Sequence, residues 1–315
     1  MKIAILDDYQ DVAKDMADWS ALQAAHDVTF FHQVYEGLDG FADRLAPFDV
    51  IGVMRERSPF GRDLLERLPN VKLLATAGMR NNAIDMDYCA ERGISVCGTQ
   101  NSAQATPDLA WGMMLSLARN IHIENARMRD GSWITTLGTD LQGKVLGICG
   151  LGRLGRKMAE IAKAFDMEVI AWSQNLTDEA AAEAGVRRVE KDALFAEADF
   201  LTIHYKLGKR SRGLVGAREL GLMKKTAFLI NTSRGPIVDT DALIATLEAG
   251  RIAGAGVDVY DLEPLAPDAP IRQAPNTILT PHLGYVTDGC YRGFYEQMVE
   301  SIERWIAGDP VRVLV

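Results

Sequence analysis

The fold is decided by the stretch Val145-Leu146-Gly147-Ile148-Cys149-Gly150-Leu151-Gly152-Arg153-Leu154-Gly155, in which an apolar run ends in three glycines and a helical pattern follows at once. The run has the length and apolar character of a buried parallel strand. Gly150, Gly152 and Gly155 match the spacing G-x-G-x-x-G, in which the first two glycines allow a sharp turn close to a pyrophosphate and the third lets the helix pack tightly on the strand. The stretch therefore predicts a dinucleotide-binding turn, with Arg153 and Leu154 opening a helix whose N-terminal amides face the phosphates.

Length and composition limit the classes of protein to which the chain can belong. With 315 residues the chain exceeds the size that one core usually organises, so two domains are expected. A formal net charge of -9 argues against a surface that binds nucleic acid or an anionic membrane. The four cysteines lack C-x-x-C spacing, and neither a signal peptide nor a membrane-spanning run is evident. These features predict a cytoplasmic protein without a metal site.

On both sides of the glycine turn, apolar runs of strand length alternate with helical patterns. The runs before the turn cover 2–6, 28–31, 50–54, 71–76 and 94–97, and those behind it cover 168–173, 199–204, 226–231, 253–259 and 277–280. Such alternation requires right-handed crossovers between parallel strands. The predicted fold class is α/β, with two doubly wound parallel-sheet domains.

The strand behind the turn ends at Ser173, about 20 residues past the first glycine, where an acid usually holds the ribose hydroxyls of NAD. Gln174 and Asn175 follow it. The sequence thus offers neither a carboxylate that would repel a 2′-phosphate nor an adjacent arginine that would attract one, and both NAD and NADP remain open.

Two stretches of the first domain follow strand ends, where ligands of open α/β sheets bind. Arg55 comes after the run 50–54 and is placed to bind an anion, although a solvated charge cluster with Glu56 is an equal alternative. The turn 77–80 offers exposed backbone amides, and the alternative is a plain turn. The sequence alone does not choose between these interpretations.

Four motifs resemble those of the D-isomer-specific 2-hydroxyacid dehydrogenase family, and the resemblance runs through nearly the whole chain. They are the glycine turn, Ile230-Asn231-Thr232-Ser233-Arg234-Gly235-Pro236-Ile237-Val238-Asp239, Asp258-Val259-Tyr260-Asp261-Leu262-Glu263-Pro264-Leu265, and Leu279-Thr280-Pro281-His282-Leu283-Gly284. The resemblance implies that Arg234, Glu263 and His282 are catalytic. The cofactor-binding residues that it implies are Gly150, Gly152, Arg153, Leu154, Gly155, Ser173, Thr232 and Asp258.

The three implied catalytic residues suit the reduction of a 2-oxo acid. Arg234 supplies a permanently charged planar fork that binds a carboxylate through two hydrogen bonds and polarises the neighbouring carbonyl. His282 can exchange the proton of the alkoxide, because imidazole titrates near neutrality, and Glu263 would fix its tautomer. The nicotinamide carries the hydride, so the protein chiefly orients the reactants and stabilises charge.

The resemblance further implies a Rossmann NAD(P)-binding domain, residues 100–285, inserted into a flavodoxin-like substrate domain made of residues 1–99 and 286–315. The substrate carboxylate would be bound by Arg55 and by the backbone of Gly78, Met79 and Arg80. The family often has glycine where this chain has Arg80, which leaves the identity of the substrate open. The segment 127–141 has the character of an arm and predicts a homodimer.

Two functions of different classes are therefore consistent with the sequence. The first is an NAD(P)-dependent enzyme that interconverts a small 2-oxo acid and its D-2-hydroxy acid, such as glyoxylate, hydroxypyruvate or phosphoglycerate compounds. The second is a nucleotide-sensing regulator on a dehydrogenase fold, similar to the dehydrogenase-like corepressors. The presence of Arg234, Glu263 and His282 favours the enzyme.

Overall fold

The computed structural model describes residues 1–35, 37–100 and 105–315. The chain forms two compact units, Met1–Ala103 with Val286–Val315 and Gln104–Tyr285. Each unit contains one parallel β-sheet with helices packed on it. The predicted α/β fold class with two parallel sheets is confirmed.

Unit 1 contains a five-stranded sheet in the order β2-β1-β3-β4-β5. Its strands are β1 (Lys2–Ile5), β2 (Asp27–Phe30), β3 (Val50–Val53), β4 (Leu73–Thr76) and β5 (Ser95–Cys97). Its helices are α1 (Ala13–Met16), α2 (Ser20–Ala25), α3 (Leu38–Leu45), α4 (Arg62–Leu65), α5 (Met86–Arg92) and the C-terminal α13 (Asp288–Ile306). The strand order 2-1-3-4-5 is the flavodoxin-like order.

Unit 2 contains a seven-stranded sheet in the order β12-β11-β10-β9-β6-β7-β8. Its strands are β6 (Val145–Cys149), β7 (Glu168–Trp172), β8 (Arg187–Arg188), β9 (Phe200–Ile203), β10 (Phe228–Asn231), β11 (Gly254–Val257) and β12 (Thr277–Leu279). Its helices are α6 (Ala105–Ala118), α7 (Ile121–Arg129), α8 (Arg153–Ala164), α9 (Asp178–Glu183), α10 (Lys191–Glu197), α11 (Ala217–Leu222) and α12 (Thr240–Glu248). The chain order reverses at β6, which lies between β9 and β7, as in a Rossmann sheet.

The buried strands explain why the apolar runs predicted them correctly. All residues of β3, β4, β9 and β11 are buried, as expected for parallel strands covered by helices on both faces. The two-residue strand β8 was not predicted, because Arg187 and Arg188 carry no apolar signal. Its pairing with β7 depends on neighbours in space that a sequence pattern does not contain.

The C-terminal helix α13 belongs to the first sheet although it follows the whole of unit 2 in sequence. It is capped by Thr287, whose hydroxyl accepts the backbone N–H of Cys290 at 3.3 Å. Its apolar face contacts β4 and α1. A Cβ atom at Gly52 in β3 would lie 2.6 Å from the sulfur of Met298, so a larger residue there would displace this side chain of α13.

Candidate active site

The glycine turn joins β6 to α8 at the point where the strand order of unit 2 reverses, which is where open α/β sheets bind their ligands. Gly150 has φ +105, and a Cβ atom there would lie 2.7 Å from the carbonyl oxygen of His204. A Cβ atom at Gly155 would lie 2.2 Å from the carbonyl oxygen of Gly150. By contrast, a Cβ atom at Gly152 would meet no atom within 4 Å. The turn thus leaves open space at Gly152, and a pyrophosphate fits there against the first amides of α8.

The loop after β10 carries Arg234 and is shaped by Asn231. The side chain of Asn231 donates to the carbonyl oxygen of Arg234 at 3.1 Å and accepts the backbone N–H of Ser233 at 3.1 Å. A Cβ atom at Gly235 would lie 2.1 Å from the carbonyl carbon of Tyr260, so the loops after β10 and β11 touch through backbone alone. The buried hydroxyl of Thr232 has no hydrogen-bond partner among the described residues. It therefore fits a polar group of a bound cofactor.

Asp258, directly after β11, organises the loop that carries His282. Its carboxylate accepts the hydroxyl of Thr280 at 2.5 Å and the backbone N–H groups of Leu283 at 2.7 Å and Gly284 at 2.9 Å. Its carbonyl oxygen accepts the backbone N–H of His282 at 2.8 Å. Burial raises the pKa of Asp258, although these hydrogen bonds and the nearby His282 act in the opposite direction. The position of Asp258 in the cofactor site stays a prediction, whereas its contacts with the His282 loop are observed.

Glu263 and His282 form a hydrogen-bonded pair. The Nδ1 atom of His282 lies 2.6 Å from the Oε2 atom of Glu263, and the other carboxylate oxygen accepts the backbone N–H of Tyr260 at 2.8 Å. With Nδ1 bound to the carboxylate, the proton that can be exchanged with a substrate is the one on Nε2. The backbone of His282 has φ +55, an uncommon conformation for a residue other than glycine, which the contacts of its loop with Asp258 hold in place.

The charge state of Glu263 follows from its surroundings. Partial burial acts to raise the pKa of Glu263, but the hydrogen bond and charge of His282, the backbone N–H of Tyr260 and the charge of Arg234 lower it by more. The net effect is a lowered pKa, so Glu263 is a carboxylate at neutral pH. The pKa of Glu263 is thus lowered chiefly by His282 and, to a smaller extent, by the charge of Arg234.

Ser173, at the end of β7, is hydrogen-bonded to the glycine turn. The hydroxyl of Ser173 accepts the backbone N–H of Leu151 at 3.0 Å, and the backbone N–H of Gln174 donates to the hydroxyl of Tyr205 at 3.1 Å. The rings of Trp172 and Tyr205 are stacked, with 6.0 Å between their centroids. Sequence analysis missed Tyr205, whose contact joins the ends of β7 and β9. The strand-end position of Tyr205 was the only available signal.

In unit 1, Arg55 and Gly78 are in contact. Gly78 has φ +96, a conformation that favours glycine, and a Cβ atom there would lie 2.0 Å from a guanidinium nitrogen of Arg55, which would have to move. The guanidinium lies 3.4 Å from the carbonyl oxygen of Ala77 and 3.5 Å from the carboxylate of Glu56. The side chains of Arg55 and Glu56 are only 22% and 21% exposed. The pairing of Arg55 with Glu56 that one of the two alternatives expects is therefore present, although both side chains are largely shielded from solvent, and anion binding by Arg55 stays a prediction.

The backbone amides of the turn 77–80 are not all available to a ligand. The N–H of Ala77 donates to the carbonyl oxygen of Val53 at 2.9 Å, and that of Gly78 donates to the hydroxyl of Thr99 at 2.8 Å. Within the described ranges, the amides of Met79 and Arg80 have no backbone or side-chain acceptor. The side chains of Met79 and Arg80 are also exposed. Of the predicted amide contacts, those of Met79 and Arg80 are compatible with the structure as it stands.

Asp7 at the end of β1 fixes the loop that carries Arg55. Its carboxyl group, only 1% exposed, accepts the hydroxyl of Ser58 at 2.7 Å, and its carbonyl oxygen accepts an N–H of Arg57 at 2.6 Å. Burial raises the pKa of Asp7 to about 6, although Ser58, Arg57 and the backbone N–H of Met54 each act to lower it.

This raised pKa predicts a pH-dependent stability. The folded protein binds the Asp7 proton more tightly than the unfolded chain, so the stabilisation is complete below about pH 4 and is lost as the pH rises through about 6. Between pH 4 and 7, the difference in unfolding free energy between the wild type and Asp7→Asn should fall by up to about 3 kcal/mol. Urea unfolding at several pH values measures it, with the exposed Asp87→Asn as control. A difference that does not change with pH would contradict the assignment.

The expectation that the chain has no metal site stays untested. Asp8, Asp11 and His32 bring possible ligand atoms within 4.8 Å of one another. Both carboxylate oxygens of Asp8 already accept backbone N–H groups, from Val12 at 2.9 Å and Ala13 at 3.1 Å. None of the described helices has both the length and the apolarity needed to cross a membrane.

Comparisons with known proteins agree with the fold. The family model described as D-isomer specific 2-hydroxyacid dehydrogenase, NAD binding domain, matches residues 111–284. The chain is 38% identical over 258 residues to a glyoxylate reductase of Thermococcus litoralis, a match that covers 79% of this chain and 78% of that protein. It is 33% identical over 271 residues to a D-3-phosphoglycerate dehydrogenase of Methanocaldococcus jannaschii, covering 85% of this chain and 51% of that protein. A solved phosphoglycerate oxidoreductase structure from Vibrio cholerae o395 matches with a TM-score of 0.93 and 33% identity, over 98% of this chain and 99% of that one.

Proposed function

The chain belongs to the D-isomer-specific 2-hydroxyacid dehydrogenase family, and from this premise we propose that it reduces a small 2-oxo acid of the glyoxylate or hydroxypyruvate type to the D-2-hydroxy acid. As a member of this family it is an NAD(P)-dependent oxidoreductase. The observation that carries the proposal is the hydrogen-bonded pair of His282 and Glu263, 2.6 Å apart. The charge of Arg234 supports it by contributing to the lowered pKa of Glu263.

In the proposed mechanism, Arg234 binds the substrate and draws electron density toward its carbonyl oxygen. The guanidinium provides two parallel N–H donors for a carboxylate or for the carboxylate and the adjacent ketone. The bound nicotinamide supplies the hydride. The developing alkoxide is stabilised by the cation and requires a proton.

His282 provides that proton from Nε2. In its protonated form, the ring donates Nδ1–H to Glu263, whose carboxylate charge stabilises the imidazolium and holds the ring in one orientation. After the transfer, the neutral ring keeps its proton on Nδ1 and presents a lone pair at Nε2. The same atom accepts the proton when a hydroxy acid is oxidised.

The substrate class is supported by the resemblance and by the relatives. The two relatives described above are named glyoxylate reductase and D-3-phosphoglycerate dehydrogenase. We favour the smaller substrate because the glyoxylate reductase is more similar and is covered over more of its length. Arg80 remains a second candidate for contact with an acidic substrate, beside Arg55.

The test of this function is a panel of oxo acids with both reduced dinucleotides. We expect oxidation of NADH or NADPH in the presence of glyoxylate and hydroxypyruvate, with lower kcat/KM for pyruvate, phenylpyruvate and 3-phosphohydroxypyruvate. Higher kcat/KM for 3-phosphohydroxypyruvate would assign the phosphorylated substrate instead. Tight dinucleotide binding without turnover of any acid would favour the nucleotide-sensing alternative.

A homodimer formed through the segment 127–141 is part of the proposal. After α7 this segment has no helix or strand, and Trp133, Ile134 and Leu137 are 74%, 77% and 96% exposed. Exposed apolar side chains in such a cluster are typical of an interaction surface. We also infer a cytoplasmic location, because all four cysteines are unpaired thiols.

Light scattering after gel filtration should give about twice the chain mass of 34.6 kDa. The double variant Trp133→Glu, Leu137→Glu should run as a monomer, because two carboxylates in an apolar interface cannot be buried without large cost. Leu222→Glu, on a partly exposed helix position outside the arm, serves as control and should remain dimeric. A wild type of 34.6 kDa would exclude the dimer.

A further inference from the structure

A cluster of cations follows β9 in unit 2. The segment 206–212, here called the basic segment, reads Lys206-Leu207-Gly208-Lys209-Arg210-Ser211-Arg212 and contains four cations and no acid, in a chain whose net charge is -9. All four cationic residues are exposed. In the parts of the chain that the structure describes, no carboxylate lies within 4.0 Å of their charged groups. Nothing in these contacts explains why so many positive charges are kept together.

The basic segment has a defined conformation. The hydroxyl of Ser211 donates to the carbonyl oxygen of Lys206 at 2.6 Å and accepts the backbone N–H of Gly208 at 2.9 Å. The backbone N–H of Gly213 donates to the carbonyl oxygen of Pro236 at 2.8 Å. The cations therefore extend from a loop that is fixed at both ends.

The segment begins beside the strand end where a dinucleotide places its adenosine ribose. Tyr205, the residue before Lys206, accepts the backbone N–H of Gln174 with its hydroxyl at 3.1 Å and stacks on Trp172. The carbonyl oxygen of His204 lies against the glycine turn at Gly150. The basic segment and the ribose position therefore lie at the same edge of the sheet.

The ribose position itself carries no negative charge. The hydroxyl of Ser173 is turned toward the glycine turn, where it accepts the N–H of Leu151 at 3.0 Å. The first acids after it are Asp178 and Glu179 in α9, and Asp178 lies 3.7 Å from the guanidinium of Arg188. A carboxylate at the end of this strand is the feature that ordinarily holds the ribose 2′-hydroxyl and excludes a 2′-phosphate.

We propose that this enzyme selects NADP(H) over NAD(H), and that the basic segment recognises the 2′-phosphate. This inference rests on the dinucleotide site of the proposed function. A phosphate monoester carries nearly two negative charges at neutral pH and forms strong charge-assisted hydrogen bonds with lysine and arginine. The side chain of Ser173 is small and uncharged, so it does not repel the phosphate. Because the cations are exposed, each contributes modestly, and the selectivity comes from several acting together.

The direct test uses two ligands that differ only in the 2′-phosphate, adenosine 2′,5′-bisphosphate and adenosine 5′-phosphate. Isothermal titration calorimetry on the full chain should give a dissociation constant at least about tenfold lower for the bisphosphate. In the triple variant Lys206→Gln, Lys209→Gln, Arg210→Gln this ratio should fall toward one, while binding of adenosine 5′-phosphate is unchanged. Lys225→Gln, an exposed cation before β10 at the opposite edge of the sheet, is the matched control and should keep the wild-type ratio.

A second variant tests the strand end. An aspartate at position 173 can still accept the N–H of Leu151, so Ser173→Asp should preserve the turn while repelling the 2′-phosphate. We expect it to bind NADH more tightly than NADPH, as measured by quenching of tryptophan fluorescence.

The outcomes separate this inference from the proposed function. Equal or tighter binding of adenosine 5′-phosphate by the wild type, together with turnover of an oxo acid by NADH, would overturn the NADP(H) selectivity and leave the dehydrogenase function in place. An unchanged ratio in the triple variant would overturn the role of the basic segment. Tight and selective binding of the bisphosphate without turnover of any acid would support the inference and count against the proposed reaction.

Discussion

Replacing His282 with alanine is expected to lower kcat by about 10²- to 10⁴-fold and to leave the dissociation constant of the dinucleotide nearly unchanged. The reason is the position of its ring, whose Nδ1 atom is held 2.6 Å from Glu263 so that Nε2 is the atom that exchanges a proton. Without the imidazole, the alkoxide has only water as a proton source. Steady-state kinetics with glyoxylate and fluorescence titration with the dinucleotide give the two quantities.

The control for this variant is His122→Ala in α7, outside the predicted site, which should keep the wild-type kcat. An alanine variant with wild-type turnover would remove His282 from the mechanism. If dinucleotide binding were lost along with turnover, the loop held by Asp258 would have collapsed, and His282→Gln would then be needed to separate packing from chemistry.

Arg234→Lys is expected to lower kcat/KM for every accepted oxo acid by about 10²- to 10³-fold although the positive charge is kept. Lysine has no planar fork, so it cannot form two parallel hydrogen bonds to a carboxylate. The loop around Arg234 is also set by contacts of its backbone, from Asn231 and through Gly235, which the substitution does not touch. The loss should therefore come from the guanidinium itself.

The measurement is kcat/KM for a series of oxo acids, with dinucleotide affinity as an independent readout. Arg218→Lys in α11 is the matched control, because it is an exposed arginine paired with Asp192 and should tolerate lysine. Addition of guanidine hydrochloride at millimolar concentration should restore part of the activity of a smaller variant, Arg234→Ala. A lysine variant within about twofold of the wild type would show that a point charge suffices and that bidentate binding is not used.

The fold could be predicted because its signals are local. The glycine turn can be recognised from the spacing of Gly150, Gly152 and Gly155 alone. The apolar runs marked buried parallel strands, and alternation with helices fixed the crossovers. The candidate catalytic residues followed from motifs at strand ends, and the structure brings Glu263 and His282 into contact.

Other features depended on pairs that are distant in sequence. The contact of Thr99 with the amide of Gly78, the raised pKa of Asp7 under the Arg55 loop and the bond of Tyr205 to Gln174 have no local sequence signal. The contacts of Asp258 likewise have no local sequence signal. The resemblance implied that it serves the cofactor, which stays a prediction, and the structure adds that both of its carboxylate oxygens accept N–H groups of the His282 loop.

By itself, the sequence determined the α/β class, the dinucleotide turn and the chemical types available for a dehydrogenase, because apolar periodicity and short motifs can be recognised without knowing which segments meet in space. Only the tertiary structure decided which backbone amides are already hydrogen-bonded, and which acids are buried or held as carboxylates. Those properties arise where the carboxyl ends of parallel strands meet, and the chain reaches that edge from segments separated by tens of residues. Desolvation and hydrogen bonding act through space, so they appear only when the strands are aligned.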